Sequence, residues 1–287
     1  MTATAAASAI TRWPLPSIPR TAEEVWAASY PDFVAMVNQT NVMPGAHATL
    51  STWALHSRLG RHHHLLDVAC TTGFTSRELA RLTGCTATGF DLSADSVALA
   101  RYNHQLLDPS LNLTYHQADG TTYTSDHPFT HIAVGAALGF FPDPPAMARR
   151  LLNLLAPDGY ILASPFWAPE ALPEHAAAVR RDVFGITSPM ENRDQALALF
   201  AGLDVLHQAD HTLTPESADA IEHYCRSTVD RVLDQSGGTD LTVRTAMLDR
   251  LRQVKHATNT LRTHQRYTVL VLRHDAHTYP NRYVELF

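Results

Sequence analysis

The 287-residue sequence contains little cysteine, one lysine and no long apolar run. Its three cysteines, Cys70, Cys85 and Cys225, are widely spaced, which argues against a disulfide framework and against a zinc cluster. No stretch reaches the roughly 18 apolar residues that a membrane span requires. Residues 1–20 have no basic segment before an apolar one, so they do not indicate a secretory signal. We therefore expect a cytoplasmic protein with reduced thiols.

Acidic residues outnumber basic ones, 28 to 22, and the net charge is −6. Because no run of basic residues occurs, the sequence argues against binding to nucleic acid or to an anionic membrane surface. The chain has 17 histidines, and three of them are consecutive at His62, His63 and His64. Consecutive side chains on an extended strand point to opposite faces, so these three do not converge on one ion. No metal site is predicted.

Short apolar segments alternate with helical ones from residue 64 onwards. Strands are predicted at residues 65–69, 85–90, 113–117, 130–136, 160–164, 202–213 and 267–272. Strands that alternate with helices at this spacing indicate βαβ units and a parallel sheet. The predicted fold class is therefore α/β.

Helices are predicted on either side of this alternating region. Thr21 and Glu24 form a capping-box pattern, and further helices are predicted at residues 33–42 and 46–59. We expect an N-terminal helical cap over residues 1–59, with its first 20 residues poorly ordered, before a domain over residues 60–287. That domain is expected to carry helical insertions at about residues 165–200 and 215–260.

The most informative segment follows the first predicted strand. Asp67, Val68, Ala69, Cys70, Thr71, Thr72 and Gly73 connect that strand to a helix. Small residues let a ligand approach the backbone, and a helix N-terminus offers free N–H groups. Asp91 ends the next strand, where a carboxylate can accept hydrogen bonds from both hydroxyls of a ribose.

These motifs, taken in order, resemble the class I S-adenosylmethionine (SAM)-dependent methyltransferases of small-molecule type. The family's first motif, roughly Asp-x-Gly/Ala-Cys-Gly-Thr-Gly, falls on Asp67 to Gly73, and its ribose-binding and adenine-contacting acids fall on Asp91 and Asp119. The resemblance covers about residues 60–213 and the last strand. It implies a Rossmann-like, seven-stranded, mostly parallel sheet with helices on both faces and a helical cap. The cofactor-binding residues that it implies are Asp67, Ala69, Cys70, Thr71, Gly73, Asp91, Leu92, Ala118, Asp119 and Gly120.

The resemblance also implies an activity: direct in-line methyl transfer from SAM to a small molecule, of the kind found in secondary metabolism. Thr71 departs from the family, because it replaces the middle glycine of the first motif. If this position needs a positive φ, threonine is strained there; if not, its hydroxyl can contact the amino-acid end of SAM. Because Thr71 lies where the amino-acid arm of SAM should sit, one alternative stays open: a lyase that cyclises SAM to azetidine-2-carboxylate and methylthioadenosine. A second alternative, independent of Thr71, is a non-catalytic SAM-binding module.

The acceptor is expected between the carboxyl edge of the sheet and the helices that cover it. No dedicated acid–base pair is evident, so no catalytic residue is predicted. The covering helices could equally form a homodimer interface. The candidate pocket residues, each of which is also a candidate for plain packing, are Tyr30, Phe33, Asn38, Asn41, Phe140, Ser164, Trp167 and Tyr224.

Overall fold

A computed structural model describes residues 15, 19, 21–39, 43–237 and 240–275. Its strands are β1 (His64–Val68), β2 (Thr86–Asp91), β3 (Leu113–Gln117), β4 (Phe129–Gly135), β5 (Leu155–Ala163), β6 (Phe166–Trp167), β7 (Asp204–Thr212) and β8 (Arg266–Arg273). They form one eight-stranded sheet in the order β3-β2-β1-β4-β5-β8-β6, and β7 also pairs with β8. Strands β1 to β5 are parallel, whereas β8 is antiparallel to β5, β6 and β7. The predicted mostly parallel sheet is confirmed.

The strand that was not predicted is β6, which contains only two residues, Phe166 and Trp167. Two residues carry no hydrophobic periodicity, so a sequence pattern cannot identify such a strand. The remaining seven strands all coincide with predicted ones, with shifts of a few residues at their ends.

The helices are α1 (Ala22–Ala27), α2 (Tyr30–Met36), α3 (Ala46–Ser57), α4 (Phe74–Thr83), α5 (Ala94–Leu107), α6 (Pro144–Leu154), α7 (Glu174–Phe184), α8 (Arg193–Ala198), α9 (Ala218–Ser236) and α10 (Leu241–His264). A 3₁₀ helix, Ala137–Phe140, follows β4. The helix predicted at residues 33–42 begins and ends earlier, because Ser29 caps it and Asn38 adopts a φ of 41°. None of the helices in the described ranges combines the length and the apolar character of a membrane span.

Alternate side chains of the central strands pack on opposite faces of the sheet, as the period of two requires. Leu65 and Val271 belong to the apolar cluster that includes residues of α3, α4 and α5. Leu66 and Leu272 belong to the cluster on the other face, with residues of α6. The carboxyl ends of β1, β2, β4 and β5 therefore share one edge of a sheet that is covered on both faces.

A third apolar cluster joins α1 and α2 to α7, α9 and α10. We call these five helices the helical cap. Val25 and Phe33 come from the N-terminal helices, and Ala176, Val229 and Met247 come from the predicted insertions. The helices before residue 60 thus share a core with the inserted helices. The division into a cap at residues 1–59 and a domain at residues 60–287 stays a prediction.

Candidate active site

The turn after β1 contains three residues in the left-handed region. Ala69, Thr71 and Gly73 have φ values of 53°, 47° and 77°. A Cβ at Gly73 would lie 2.7 Å from the hydroxyl of Tyr115, so glycine is required there for space as well as for conformation. Thr71 therefore holds a conformation that costs an L-residue roughly 1–2 kcal/mol. The structure therefore supports the interpretation in which position 71 needs a positive φ and threonine is strained there.

Asp91 connects this turn to the end of β2. One carboxylate oxygen accepts the Thr71 N–H and the other accepts the Ser93 N–H, each at 2.9 Å. Because each oxygen of a carboxylate has a further lone pair, Asp91 can accept two more hydrogen bonds, the number that a ribose diol offers. Burial raises the pKa of Asp91, as does the nearby Asp32 carboxylate, while the backbone hydrogen bonds oppose the rise.

Asp67 lies in β1 beside the same turn and is 4% exposed. Its carboxylate accepts the Ser76 N–H at 2.9 Å and so satisfies a free donor in the first turn of α4. Burial raises the pKa of Asp67 to about 7, and the hydrogen bonds from Ser76 oppose that rise. A cationic group placed next to Asp67 would favour the ionised carboxylate. Asp67 thus caps a helix and is also suited to the ammonium group of an amino acid.

Leu92 and Asp119 lie at the ends of β2 and β3 and are both exposed. Leu92 is 71% exposed, which is unusual for a leucine beside the sheet. Asp119 accepts both the backbone N–H and the hydroxyl of Thr121 at 2.8 Å, and these bonds lower its pKa. Leu92 therefore offers an apolar surface, and Asp119 offers an ionised carboxylate, on the exposed part of this edge.

The other predicted cofactor residues are packed against the protein. A Cβ at Gly120 would lie 2.8 Å from the ring of Phe141, so this glycine permits close packing. Ala118 donates its N–H to the Asp91 carbonyl at 2.9 Å. Cys70 is 3% exposed, and burial raises the pKa of its thiol. Cys70 is therefore not suited to act as a thiolate nucleophile.

Ser164 follows β5 on the neighbouring part of the edge. Its N–H donates to the Gly135 carbonyl at 2.8 Å, and its side chain is fully buried. Among the described residues, its hydroxyl has no hydrogen-bond partner. A Cβ at Gly135, whose φ is 53°, would meet only the Ser164 hydroxyl, at 4.0 Å. A buried hydroxyl without a partner costs about 1–3 kcal/mol, which makes Ser164 a candidate ligand contact.

Four aromatic side chains from distant segments meet near this edge. Tyr30 of α2 stacks on Phe140 with ring centroids 6.2 Å apart, and it packs edge-on against Phe184 at 5.0 Å. Burial raises the pKa of Tyr30 to about 12, and the neighbouring Tyr224 phenol adds to the rise. The ammonium of Lys255 lies 4.5 Å above the Tyr224 ring. The structure thus brings Tyr30, Phe140 and Tyr224 into one region.

The remaining predicted pocket residues contact other parts of the protein. The guanidinium of Arg250 lies 4.5 Å above the Phe33 ring. Asn38 exchanges two hydrogen bonds with Asn103, at 3.1 and 2.9 Å. Trp167 donates its indole N–H to the Thr268 hydroxyl at 2.9 Å. Asn41, the last of the predicted pocket residues, lies outside the described residues.

Sequence reasoning did not single out two charged residues that lie at this edge. Asp32 accepts a hydrogen bond from the Ser93 hydroxyl at 2.6 Å, and so joins α2 to the loop after β2. Arg180 of α7 lies against Gly139 in the 3₁₀ helix. No motif in the sequence marks either residue. In the described part of the chain, no cluster of three or more His, Cys, Asp or Glu side chains could hold a metal ion.

A family model described as "Methyltransferase domain" matches residues 65–159, the segment that contains Asp67, Asp91 and Asp119. This segment is a class I, SAM-dependent methyltransferase domain. The family prediction is confirmed, and SAM is the cofactor that this family uses. The match extends from β1 to the middle of β5 and therefore leaves out the cap and the last strands.

Individual relatives agree with this assignment. The chain is 32% identical over 129 residues to a dTDP-3-amino-3,6-dideoxy-alpha-D-glucopyranose N,N-dimethyltransferase of Streptomyces fradiae, covering 43% of this chain and 48% of that one. Among solved structures, the MccD protein has a TM-score of 0.65 at 22% identity, covering 82% of this chain and 99% of its own. A SAM-dependent methyltransferase of Thiobacillus denitrificans in complex with S-adenosylhomocysteine has a TM-score of 0.60 at 22% identity, covering 84% and 96%.

The chain spans about half the length of the curated relatives that it matches. The solved structures, at 22% identity, show the fold, and they confirm the Rossmann-like sheet with its helices. One fold hosts many reactions, so the acceptor has to be argued from the residues of the site.

Proposed function

We propose that this protein binds SAM at the turn after β1 and transfers its methyl group to a small-molecule acceptor. The observation that carries the proposal is Asp91, whose carboxylate joins the Thr71 and Ser93 backbones inside a methyltransferase domain. This bridge places a buried carboxylate with spare lone pairs beside a turn of left-handed residues. Such an arrangement suits a ribose with an adjoining amino-acid arm.

The described residues fit the parts of SAM one by one. In this proposal Asp91 holds the ribose, Leu92 and Asp119 flank the adenine, and Asp67 faces the ammonium group. SAM, when bound, supplies a methyl group made electrophilic by a sulfonium. The protein's main task is then to hold a nucleophile in line and to exclude water, since proximity alone can contribute several kcal/mol.

The acceptor side of the proposal is formed by Ser164, Tyr30, Phe140 and Tyr224. The Tyr30 phenol stays protonated at neutral pH because its pKa is about 12. It can therefore orient an acceptor by hydrogen bonding but does not act as a base. Ser164 can hydrogen-bond the nucleophilic atom of the acceptor with its unpartnered hydroxyl. These roles favour an acceptor that arrives with an available lone pair.

Other features support finer parts of the proposal. The net charge of −6 favours a small acceptor over nucleic acid. Three free, buried cysteines are typical of a reducing compartment such as the cytoplasm. The relative from Streptomyces fradiae acts on a nucleotide-linked amino sugar, which supports acceptors of secondary metabolism. A homodimer formed through the cap also stays a proposal.

The first experiment incubates the purified protein with SAM alone and measures SAM binding by calorimetry and products by mass spectrometry. We expect binding without consumption of SAM, followed by methyl transfer when acceptors are screened. Methylthioadenosine with azetidine-2-carboxylate would instead identify the lyase. Binding without transfer to any acceptor would favour the SAM-binding module, and absence of binding would overturn the proposal.

A further inference from the structure

Arg180 of α7 is a buried cation in the helical cap. The residue is 8% exposed, and it forms no ion pair with the described carboxylates. Its guanidinium donates to the Ser188 carbonyl and, at 3.3 Å, to the Ser188 hydroxyl, and both of these acceptors are neutral. Burial lowers the pKa of Arg180, and Glu191 opposes that shift without forming an ion pair.

The position of Arg180 places it at the acceptor side of the proposed site. Its guanidinium would lie 3.6 Å from a Cβ at Gly139, in the 3₁₀ helix that follows β4. The Ser188 hydroxyl donates to the Gly139 carbonyl at 3.0 Å, so Arg180 and Ser188 are fixed against this helix. The next residue, Phe140, stacks on Tyr30. The cation therefore lies against Gly139, the residue that precedes one of the aromatic side chains proposed for the acceptor.

A buried guanidinium is unfavourable unless an anion neutralises it. Hydrogen bonds to a carbonyl and a hydroxyl satisfy some of its five donors, and the Glu191 carboxylate acts on its charge without coming within ion-pair distance. Proteins use arginine at such positions to bind carboxylates and phosphates, because its planar fork matches their oxygens in pairs. Arg180 is therefore better explained by a ligand that carries an anion than by its two bonds to Ser188.

We propose that Arg180 binds an anionic group, a carboxylate or a phosphate, on the methyl acceptor. This inference rests on the proposed function and adds the chemical class of the substrate. Gly139 beside Arg180 and Gly135 beside Ser164 are four residues apart. Four residues span at most about 14 Å of extended chain, a distance short enough for one small molecule to reach both Arg180 and Ser164.

The experiment compares thermal unfolding of the S-adenosylhomocysteine-saturated protein in potassium phosphate and in potassium chloride at equal ionic strength. We expect phosphate to raise the Tm saturably by about 2–4 °C, the shift typical of a weak ligand at several times its Kd. Arg180→Gln should abolish this saturable shift. Arg180→Lys should reduce it, because lysine keeps the charge but loses the fork. The same measurement with potassium acetate distinguishes a carboxylate site, where acetate gives the saturable Tm shift, from a phosphate site, where only phosphate gives it.

The matched control is Arg181→Gln, in the next residue of the same helix. The Arg181 side chain is 52% exposed and pairs with Asp182, so its loss changes the net charge equally but away from the site. We expect it to respond to phosphate like the wild type. Phosphate also stabilises proteins non-specifically, so an equal shift in Arg180→Gln would overturn the proposal. No saturable shift in the wild type with either anion would also overturn it.

The failure of this inference can be separated from failure of the proposed function. Calorimetry with S-adenosylhomocysteine alone tests the cofactor site, and the anion shift is scored on the same samples with and without that ligand. Once an acceptor is found, its acid form and its amide or dephosphorylated form are compared. Arg180→Gln should raise KM for the anionic acceptor at least 10-fold and leave KM for the neutral one unchanged.

Discussion

The two halves of the proposed site are built differently. On the cofactor side, Asp67, Thr71 and Asp91 lie within 25 residues of sequence and are held largely by backbone N–H groups. On the acceptor side, Tyr30, Ser164 and Arg180 come from distant segments. Tyr30 packs against Phe184, Ser164 donates its N–H to Gly135, and Arg180 donates to Ser188. One half is a local turn between strands, and the other is assembled by the tertiary structure.

This difference suggests a division of tasks. A turn fixed by backbone bonds recognises a constant ligand and tolerates little change in the chain's path. A cap made from helices with separate origins can vary in its side chains without disturbing that turn. We therefore expect substitutions in the first half to act on SAM binding and those in the second half to act on the acceptor.

Asp91→Asn should have the largest effect. The amide nitrogen would face the Thr71 or Ser93 N–H, so one of the two bonds that fix the turn would be replaced by a donor facing a donor. The ribose would also lose hydrogen bonds to a charged acceptor, each worth roughly 1.5–3 kcal/mol. We expect SAM affinity measured by calorimetry to fall about 100-fold or more.

Asp95→Asn, in the first turn of α5, is the control for this variant because it removes the same charge four residues away. It should change SAM affinity less than about threefold, because it perturbs only the helix N-terminus. An equal loss of SAM affinity in the two variants would mean that net charge, and not the hydrogen bonds of Asp91 to Thr71 and Ser93, determines SAM binding. The distinction between the two halves of the site would then be wrong.

Ser164→Ala tests the other half. Removing a buried hydroxyl that has no partner should leave the free energy of unfolding unchanged or raise it slightly. Transfer to the acceptor should fall about 10-fold, since one hydrogen bond of about 1.4 kcal/mol is lost, while SAM affinity stays the same. Chemical denaturation, calorimetry and initial rates measure the three quantities.

Ser57→Ala provides a matched comparison for that stability effect. Ser57 is equally buried, but its hydroxyl donates to the Trp53 carbonyl at 2.7 Å. Its loss should destabilise the protein by about 1 kcal/mol and leave the transfer rate unchanged. If Ser164→Ala destabilises the protein as much as Ser57→Ala, the Ser164 hydroxyl has a structural partner and no free bond for an acceptor.

The same contrast explains how much could be predicted from the sequence. The sheet and the turn from Asp67 to Gly73 depend on neighbours in sequence, so periodicity and motif spacing identified them. Arg180 depends on Gly139 and Ser188, which meet it only after the chain has folded. Asn38 is a predicted pocket residue, yet its side-chain amide is hydrogen-bonded to Asn103 in α5. Pairings of this kind leave no pattern in one sequence.

The pH dependence of cofactor binding sharpens the role of Asp67. Its folded-state pKa of about 7 lies above the ordinary value, so the free protein holds a neutral carboxyl below that pH. A cationic ammonium prefers the ionised form, and binding below pH 7 must therefore release a proton. We expect affinity for S-adenosylhomocysteine to rise up to about 10-fold from pH 6 to pH 8.

Asp67→Asn should remove this dependence, and calorimetry in two buffers of different ionisation enthalpy should detect the released proton only in the wild type. Affinity is the better observable than stability here. Burial lowers the pKa of His131 to about 4, so acidification also costs stability at a position in β4 away from the turn. A pH-independent affinity in the wild type would show that Asp67 serves only to cap α4.

Thr71→Gly should have the smallest effect and the opposite sign. The φ of 47° is strained for a β-branched residue, and glycine relieves about 1–2 kcal/mol while losing about 0.5–1 kcal/mol to the entropy of the unfolded chain. We expect a net stabilisation of about 0.5–1 kcal/mol in chemical denaturation, because the variant keeps the hydrogen bond from the backbone N–H of residue 71 to the Asp91 carboxylate. Thr72→Gly should instead destabilise the protein, since Thr72 is not left-handed and its hydroxyl donates to the Gln39 carbonyl at 2.8 Å. If Thr71→Gly stabilises the protein but weakens SAM binding, the Thr71 side chain contacts the cofactor, and the local turn recognises SAM through more than its backbone.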